Sequence, residues 1–326
     1  MLLSALFSYP ANIHKRWPSA IKFMTQHLFG IKKSLNLHIV NNQQKMKKSI
    51  LFAVAFLLLC PVMFSKGKDE PKELKVMSYN IRLGVANDGT NSWQYRGPAT
   101  IDMLKAQKPD VMGVQEAYGF QVQVIGDYCK GYKSVGVGRE NGKKEGEHMS
   151  IFWNSKTVSC LKWGTFWLSD TPEKPSMGWD AACKRTATWA LMKDKKTGKK
   201  FYFVNTHLDH VGKEAQKNGL KLVVEKIKSM NTQGLPVVLT GDFNIKPSDV
   251  ALKELDGMMQ SARKVAPKTD SRNTFNGWSV KSSDKIIDYI YFSGFSSCPE
   301  YKTVTEKYAG KPFVSDHYPI FARLIF

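Results

Sequence analysis

The chain carries many short apolar runs, and these outnumber the segments with helical periodicity. Two stretches, residues 100–107 and 213–230, have the periodicity of a helix. The apolar runs follow one another in hairpin-like succession, which favours packed sheets with helices outside them over a doubly wound parallel sheet. The strands that we predict cover residues 75–80, 111–115, 151–153, 158–167, 188–192, 201–205, 236–240, 287–292 and 319–325.

The length and charge of the chain limit the kind of protein it can be. Its 326 residues are enough for one large α/β domain or two small ones, and no linker divides residues 68–326. The balance is strongly basic, with 48 Lys+Arg against 28 Asp+Glu. Such an excess favours anionic partners, such as nucleic acid or phospholipid surfaces, or it is general basicity without a partner.

The first 65 residues are predicted to lie outside the folded domain. A short basic region from Met46 precedes the apolar run 50–59, and the small residue Ser65 follows, which is the pattern of a signal peptide. We therefore expect an upstream extension (1–45), a signal peptide (46–65) and one domain (66–326). The protein would be exported to the periplasm or secreted, and an uncleaved membrane anchor is the alternative.

Export would permit disulfide bonds, because the compartments outside the cytoplasm are oxidising. Four cysteines follow the predicted signal peptide and allow three full pairings, among which the sequence does not choose. Their spacing is not that of a zinc site, so we predict no chemistry for Cys129, Cys160, Cys183 and Cys298.

Polar side chains suited to metals, phosphates or proton transfer stand at the ends of the predicted strands. In the stretch LTGDFNIKPSD, for example, Asp242 and Asn244 directly follow a buried strand. Taken singly, each such residue has an ordinary explanation, such as a turn, a helix cap or a core imidazole. Residues at strand ends on one rim of a sandwich can come together in one site. The polar residues at these strand ends therefore predict a functional site made of Asn80, Glu116, His207, Asp242, Asn244, Asp288, Asp316 and His317.

Six motifs extend this pattern: MSYNI, VQEA, NTHLDH, TGDFN, IDYIYFS and SDHYPIFARL. Their order resembles that of the endonuclease/exonuclease/phosphatase family over about residues 74–326, and the combination of GDFN, SDH and NTHL is the specific part. The resemblance implies an α/β fold, a four-layer α/β/β/α sandwich like that of deoxyribonuclease I, which agrees with the strand count. It also implies a metal-dependent hydrolase of phosphoester bonds.

The resemblance assigns a metal site to three residues. Glu116 matches the family's metal-binding glutamate, Asn80 matches the asparagine that assists this metal, and Asp316 matches an acid often near it. Hard oxygen ligands with few carboxylates suit Mg²⁺ or Mn²⁺, which keep several waters and bind substrate phosphate.

The resemblance also assigns catalytic roles. Asp242 and Asn244 match the pair that orients the attacking water and holds the scissile phosphate. His317 matches the histidine that faces the phosphate, Asp288 matches the carboxylate that orients this histidine, and His207 matches a second histidine found in some branches. No Ser or Cys nucleophile motif is present, so no covalent intermediate is required.

Two stretches are candidates for substrate contacts. Residues 138–154 contain His148, which we expect to face either phosphate or solvent. Residues 165–185 contain Trp179 and end at Arg185, where many family members place a phosphate-contacting arginine. Aromatic residues interleaved with basic ones suit base stacking on single-stranded nucleic acid, and they suit a sugar or lipid headgroup nearly as well. Packing under the loop is the ordinary alternative.

These features predict an exported metal-dependent phosphodiesterase or nuclease, acting as an endonuclease or an exonuclease through activated water. One alternative is a phosphomonoesterase on a sugar, inositol or lipid phosphate. Another is a non-catalytic surface-binding protein, against which the complete polar set argues. We expect a monomer with a phosphoester substrate, nucleic acid being one option, and no stable protein partner.

Overall fold

Two six-stranded sheets form the centre of the protein. The computed structural model describes residues 72–279 and 285–326. The strands are β1 (Glu73–Asn80), β2 (Val111–Ala117), β3 (Tyr132–Val135), β4 (His148–Asn154), β5 (Val158–Trp167), β6 (Thr186–Asp194), β7 (Lys200–His207), β8 (Val237–Asp242), β9 (Gln260–Ser261), β10 (Asp288–Ser293), β11 (Ser297–Thr303) and β12 (Ile320–Ile325).

The helices are fewer than the strands. They are α1 (Trp93–Gln107), α2 (Gly119–Tyr128), α3 (Lys213–Met230) and α4 (Ala262–Val265), with 3₁₀ helices at Gly89–Asn91 and Val250–Leu255. The predicted extension and signal peptide lie outside the described residues, so export stays a prediction. Within the described residues, no helix has both the length and the apolar character needed to cross a membrane.

The strand order brings six strand ends to one edge. The first sheet has the order β11-β12-β1-β2-β4-β3 and the second has the order β5-β6-β7-β8-β10-β9. The pairs β1–β2 and β7–β8 at the sheet centres are parallel, so their carboxyl ends lie together. Strands β12 and β10 run antiparallel to β1 and β8, so their first residues lie at the same edge.

Three apolar layers alternate with the two sheets. Side chains of a strand point alternately to its two faces, and in β1 the residues Leu74 and Val76 pack between the sheets while Met77 and Tyr79 pack outside. Helices α1 and α2 cover the outer face of the first sheet, and α3 covers the outer face of the second. The four-layer α/β/β/α sandwich predicted from the sequence is therefore confirmed.

A polar layer separates the apolar core from the edge where the strand ends meet. Gln115 Nε2 donates to Asn205 Oδ1 at 2.6 Å, and Asn205 Nδ2 donates to the carbonyl of Val114 at 3.0 Å. These bonds join the two sheets. A Cβ at Gly113 would overlap Thr240 Oγ1 and the Asn205 amide, so glycine permits this close approach.

The structure extends the sequence prediction at several elements. Helix α1 begins at Trp93, before Pro98, although the sequence predicted a start at residue 100. Strands β3 and β11 were not predicted, because both are edge strands with mostly half-exposed side chains and no apolar run. The four cysteines of the described residues are unpaired: Cys129, Cys160, Cys183 and Cys298.

A buried arginine in α1 ties together the two segments that flank the polar edge. Arg96 is 1% exposed. Its Nη1 donates to the carbonyls of Ile81 (2.6 Å) and Val314 (3.1 Å), its Nη2 donates to that of Arg82 (2.9 Å), and its Nε donates to that of Asn91 (2.9 Å). The segment after β1 and the segment before β12 are thus held by one guanidinium.

We predict that Arg96→Met lowers the free energy of unfolding by roughly 3–5 kcal/mol, because it leaves several buried carbonyls without donors. Urea unfolding followed by circular dichroism measures the change. The control is Arg323→Met, since the Arg323 side chain is 42% exposed and pairs with Glu73. We expect this control to lose less than about 1 kcal/mol. Equal losses in the two variants would contradict the importance of the buried contacts.

Candidate active site

The side chains of both sheets meet at Asn80, the last residue of β1. Asn80 Nδ2 donates to Glu116 Oε1 in its own sheet and to Asp242 Oδ2 in the other, both at 2.9 Å. Its Oδ1 accepts from the backbone N–H of Arg82 at 2.9 Å, which fixes the orientation of the amide. Asn80 therefore positions two carboxylates by donating to them, and its oxygen faces away from both.

Glu116 owes its position to an irregularity in β2. The pairing of β2 with β4 shifts register between Val114 and Ala117, and Glu116 has a φ of +62°. A left-handed residue in a β-bulge redirects its side chain, and non-glycine residues adopt this conformation mostly at functional sites. Glu116 Oε2 accepts from the backbone N–H of Leu83 at 2.9 Å, which holds the carboxylate at the edge of the sandwich.

The turn after β8 places Asp242 and Asn244. The backbone N–H of Asn244 donates to Asp242 Oδ1 at 2.9 Å. Asn244 has a φ of +52°, a conformation that asparagine tolerates better than most residues. A Cβ at Gly241 would overlap the carbonyl of Thr206, so only glycine fits there. The GDFN motif is thus both a sharp turn and part of the polar cluster at this edge. We use that name for Asn80, Glu116, His207, Asp242, Asn244, Asp288, Asp316 and His317.

His317 and Asp288 form a buried pair beside Asp242. His317 Nδ1 donates to Asp288 Oδ2 at 2.9 Å, and His317 Nε2 lies 3.7 Å from Asp242 Oδ2. Burial by itself would lower the pKa of His317, but the charges of Asp288 and Asp242 raise it to about 10. His317 is therefore a cation at neutral pH, with its Nε2–H directed at the cluster.

The pKa of Asp242 is shifted in the opposite sense from that of a typical paired carboxylate. Burial, followed by the charge of Asp288, raises the pKa of Asp242 to about 7, although His317 and Asn80 act to lower it. The raised pKa brings the titration of Asp242 closer to neutral pH, which suits a group that accepts a proton and later releases it.

His207 is neutral, unlike His317. Burial and then the positive charge of Arg185 hold the pKa of His207 well below its usual value. Its Nε2 accepts from Asn244 Nδ2 at 3.0 Å and lies 3.4 Å from Asp242 Oδ2. Because the ring is neutral, this contact with Asp242 is not an ion pair.

The polar cluster opens into a cavity of about 470 Å³. Asn80 and Asp288 lie behind the residues that line it. Among the predicted site residues, the cavity is lined by Glu116, Arg185, His207, Asp242, Asn244, Asp316 and His317. The sequence analysis did not single out the remaining lining residues, which are Arg82, Leu83, Arg139, Glu147, Cys183, His210, Phe275, Lys285 and Ile287.

Arg185 is buried and held by two neighbours. Its Nε donates to Asp209 Oδ2 at 3.2 Å, and its Nη2 lies 2.9 Å from His210 Nδ1. Backbone N–H groups of Gly212 and Val211 help hold the pKa of Asp209 at about 2, against the effect of its burial. The HLDH stretch follows β7 directly, and this could have identified Asp209 and His210 as neighbours of a phosphate-binding arginine.

Two predicted substrate contacts do not reach the cavity. His148 is 7% exposed and is not among the lining residues, whereas Glu147 is. Glu147 directly precedes β4 and lines the cavity, whereas His148, the first residue of β4, is buried outside the lining. Trp179 is 37% exposed and also lies outside the lining, so it does not form a wall of this cavity.

The donor atoms fit a divalent metal ion. The ligand atoms of Glu116, His207 and Asp242 lie within 4.8 Å of one another, and Glu116 and Asp316 both present carboxylates to the cavity. Burial raises the pKa of Asp316, although the neighbouring His317 and Arg82 counteract this. Oxygen-rich donors of this kind suit Mg²⁺ or Mn²⁺ better than a thiolate-binding metal.

A sequence profile of the endonuclease/exonuclease/phosphatase family matches residues 77–317. The chain belongs to this family. The matched range includes every member of the polar cluster, from Asn80 to His317. The family predicted from the sequence motifs is therefore confirmed, and enzymes of this family are metal-dependent hydrolases of phosphoesters.

Solved structures give the same fold. An endonuclease/exonuclease/phosphatase family protein from Bacteroides thetaiotaomicron is 33% identical, with a TM-score of 0.75 over 79% of this chain and 99% of that chain. A mannosyl-6-phosphatase from Bacteroides thetaiotaomicron VPI-5482 is 33% identical, with a TM-score of 0.75 over 78% and 100%. TDP2 from D. rerio, complexed with single-strand DNA product, is 18% identical, with a TM-score of 0.63 over 78% and 100%.

We predict that Glu116→Gln weakens Mg²⁺ binding by about 10-fold or more, because a neutral amide replaces the anionic ligand. Isothermal titration calorimetry with Mg²⁺ and with Mn²⁺ measures the affinity without substrate. The control is Glu225→Gln, a change on the exposed face of α3 that should leave the affinity as it is. Unchanged affinity in folded Glu116→Gln would remove Glu116 from the metal site.

We predict that Asp242→Asn and His317→Ala each lower kcat by roughly 10²–10³, the scale of losing a general base or a transition-state donor. Because the two groups act together, the double variant should be little slower than the slower single variant. Asp288→Asn should be milder than His317→Ala, since it leaves the imidazole present. Steady-state kinetics measure kcat, with the exposed Asp102→Asn as control. Near wild-type kcat in either folded variant would contradict these roles.

Proposed function

We propose that the protein is a phosphomonoesterase that releases phosphate from a phosphorylated sugar. Hydrolysis of a phosphoester follows from the family, whereas the choice of a monoester and of a sugar is our proposal. The observation that supports it is a buried pair of opposite charges, Arg139 and Glu147, which lines the same cavity as the polar cluster.

The Arg139–Glu147 pair presents both donors and acceptors to the cavity. Arg139 Nη1 donates to Glu147 Oε2 at 2.9 Å, and both side chains are largely buried. Burial raises the pKa of Glu147, while Arg139 counteracts this shift. A sugar hydroxyl both donates and accepts hydrogen bonds, so a guanidinium beside a carboxyl group can bind neighbouring hydroxyls of one ring.

The rest of the lining favours a small polar substrate over a nucleic acid. Proteins that bind single strands stack bases on aromatic side chains. Among the described residues that line the cavity, Phe275 is the sole Phe, Tyr or Trp, and its ring lies edge-on to His317 at 5.0 Å. The cavity of about 470 Å³ is in the range that suits a small ligand such as a hexose phosphate.

The relatives point the same way. The mannosyl-6-phosphatase that is 33% identical to this chain is named for a sugar phosphate. The likeness to TDP2 is too low to argue for more than the fold. The phosphodiesterase or nuclease activity that we predicted from the sequence stays a prediction, and the substrate panel below tests it.

The side chains suit hydrolysis by water. Asp242 accepts the proton of the water whose oxygen bonds to phosphorus, and the ester P–O bond breaks. The sugar oxygen leaves and is protonated by solvent water, and Asp242 then returns its proton to solvent. His317, charged and held by Asp288, donates from Nε2 to a phosphoryl oxygen, and Arg185 adds positive charge nearby. A metal ion at Glu116 would supply charge neutralisation and a more acidic water.

The substrate panel consists of hexose phosphates, inositol phosphate, p-nitrophenyl phosphate, bis-p-nitrophenyl phosphate, single-stranded and double-stranded DNA, and RNA. We expect the highest kcat/KM for a hexose phosphate with Mg²⁺ or Mn²⁺ and no turnover with EDTA. Faster hydrolysis of a diester or a nucleic acid than of every monoester would contradict the proposal. In that case the nuclease hypothesis from the sequence would replace it.

We predict that Arg139→Met raises KM for the best hexose phosphate by about 10-fold, because it removes hydrogen bonds from a charged donor to the sugar. The kcat/KM for p-nitrophenyl phosphate, which lacks hydroxyls, should change far less. The control Lys144→Met lies on the same loop with an exposed side chain and should behave as wild type. An equal effect of Arg139→Met on both substrates would contradict a role in sugar binding.

A further inference from the structure

A second cavity adjoins the catalytic one on the side of Asn244. Its volume is about 570 Å³, and it shares Asn244, His210, Lys285 and Ile287 with the catalytic cavity. A ligand held at the polar cluster can therefore extend into it without leaving the protein surface. We call it the basic cavity, because Lys213, Lys246 and Lys285 line it.

The charge of the basic cavity is mostly uncompensated. Asp249 is the sole carboxylate among its described lining residues, and one of its oxygens accepts from the backbone N–H of Ala251 at 3.0 Å. No described residue forms an ion pair with the ammonium group of Lys246. The described lining thus has three lysines and one carboxylate, and that carboxylate already accepts a backbone hydrogen bond. This leaves a net positive charge next to the catalytic cavity.

Two of the lysines are fixed relative to the catalytic residues. Lys213 Nζ donates to Gln216 Oε1 at 2.9 Å, and the buried Gln216 donates in turn to the carbonyl of Asn244 at 3.2 Å. Lys246 lies two residues after Asn244. It begins a turn in which the backbone N–H of Asp249 donates to the carbonyl of Lys246 at 2.9 Å. The turn at residues 242–244 that positions Asn244 is thus followed directly by a second turn that holds the backbone of Lys246.

We propose that the basic cavity binds a second anionic group of the substrate while the scissile phosphate lies at Asn244 and His317. This inference rests on the proposed phosphomonoesterase function and narrows its substrate to a doubly anionic sugar. The second group is a phosphate, sulfate or carboxylate, which share the oxygen acceptors that ammonium groups bind. The lysines are exposed, so each contact is weak and the effect comes from several charges acting together.

The test compares initial rates on glucose 6-phosphate and glucose 1,6-bisphosphate. We expect kcat/KM for the bisphosphate to exceed that for the monophosphate by about 10-fold at low salt and by less at high salt, because salt screens exposed charges. The double variant Lys213→Gln/Lys246→Gln should remove most of this ratio. Lys228→Gln, an exposed change at the other end of α3, should keep it. Glucose 1-phosphate 6-sulfate and glucuronate 1-phosphate, compared with the bisphosphate, distinguish sulfate and carboxylate from phosphate as the second anionic group.

Equal kcat/KM for the two sugars in the wild type overturns the proposal, and so does a double variant that slows both by the same factor. If no sugar phosphate of the panel is turned over, the proposed function fails while the basic cavity is still tested by inhibition of p-nitrophenyl phosphate hydrolysis. The bisphosphate must then inhibit more strongly than the monophosphate, and the double variant must abolish the difference. Binding of single-stranded DNA that depends on these lysines, without a preference for the bisphosphate, also overturns the proposal.

Discussion

The site depends on one side-chain amide that donates to two carboxylates from different sheets. The side-chain amide of Asn80 donates to both Glu116 and Asp242 at 2.9 Å. The ligand atoms of the half-buried Glu116 and the buried Asp242 lie within 4.8 Å of each other, and two carboxylates this close would repel each other without a donor between them. Asn80, Glu116 and Asp242 belong to β1, β2 and β8. A shift of one residue in the register of any of these strands would turn its side chain to the opposite face of the sheet. The position of the two carboxylates in the site therefore depends on the strand register of both sheets.

The space between the sheets changes from apolar to polar to charged along the strands. Leu74 and Phe203 lie in the apolar part, Asn205 and Gln115 lie in the hydrogen-bonded layer, and Asp242 lies at the edge. Buried charges destabilise a fold unless they are paired and hydrogen-bonded, and an intermediate polar layer supplies partners for the backbone and side chains next to them. The apolar part offsets the cost of the charged part within the same pair of sheets.

The sequence was sufficient for the central strands and for the residues at their ends. Apolar runs ending in Asn80, Glu116, His207 and Asp242 indicated packed sheets with a polar site at one rim, and the resemblance to the family implied the four-layer sandwich. Edge strands such as β3 were not predicted, because their partly exposed side chains do not form an apolar run in the sequence. Arg139 and Glu147 escaped because loop residues carry no periodic signal, and their pairing depends on where the loop folds back. His148 was chosen instead of its neighbour Glu147, because sequence alone does not tell which face of β4 lines the cavity.

The Arg139–Glu147 pair lies on a different part of the fold from the residues directed at the phosphate, so substitutions can alter one set without altering the other. The phosphate-directed residues stand at the ends of the strands or within a few residues of them, whereas Arg139 belongs to the connection between β3 and β4 at the margin of the first sheet. Marginal connections tolerate insertions and replacements that central strands do not. New specificity can therefore arise in a lineage by exchange of this one connection, while the hydrolytic centre is inherited intact. A fold arranged in this way can diversify its substrates without passing through inactive intermediates.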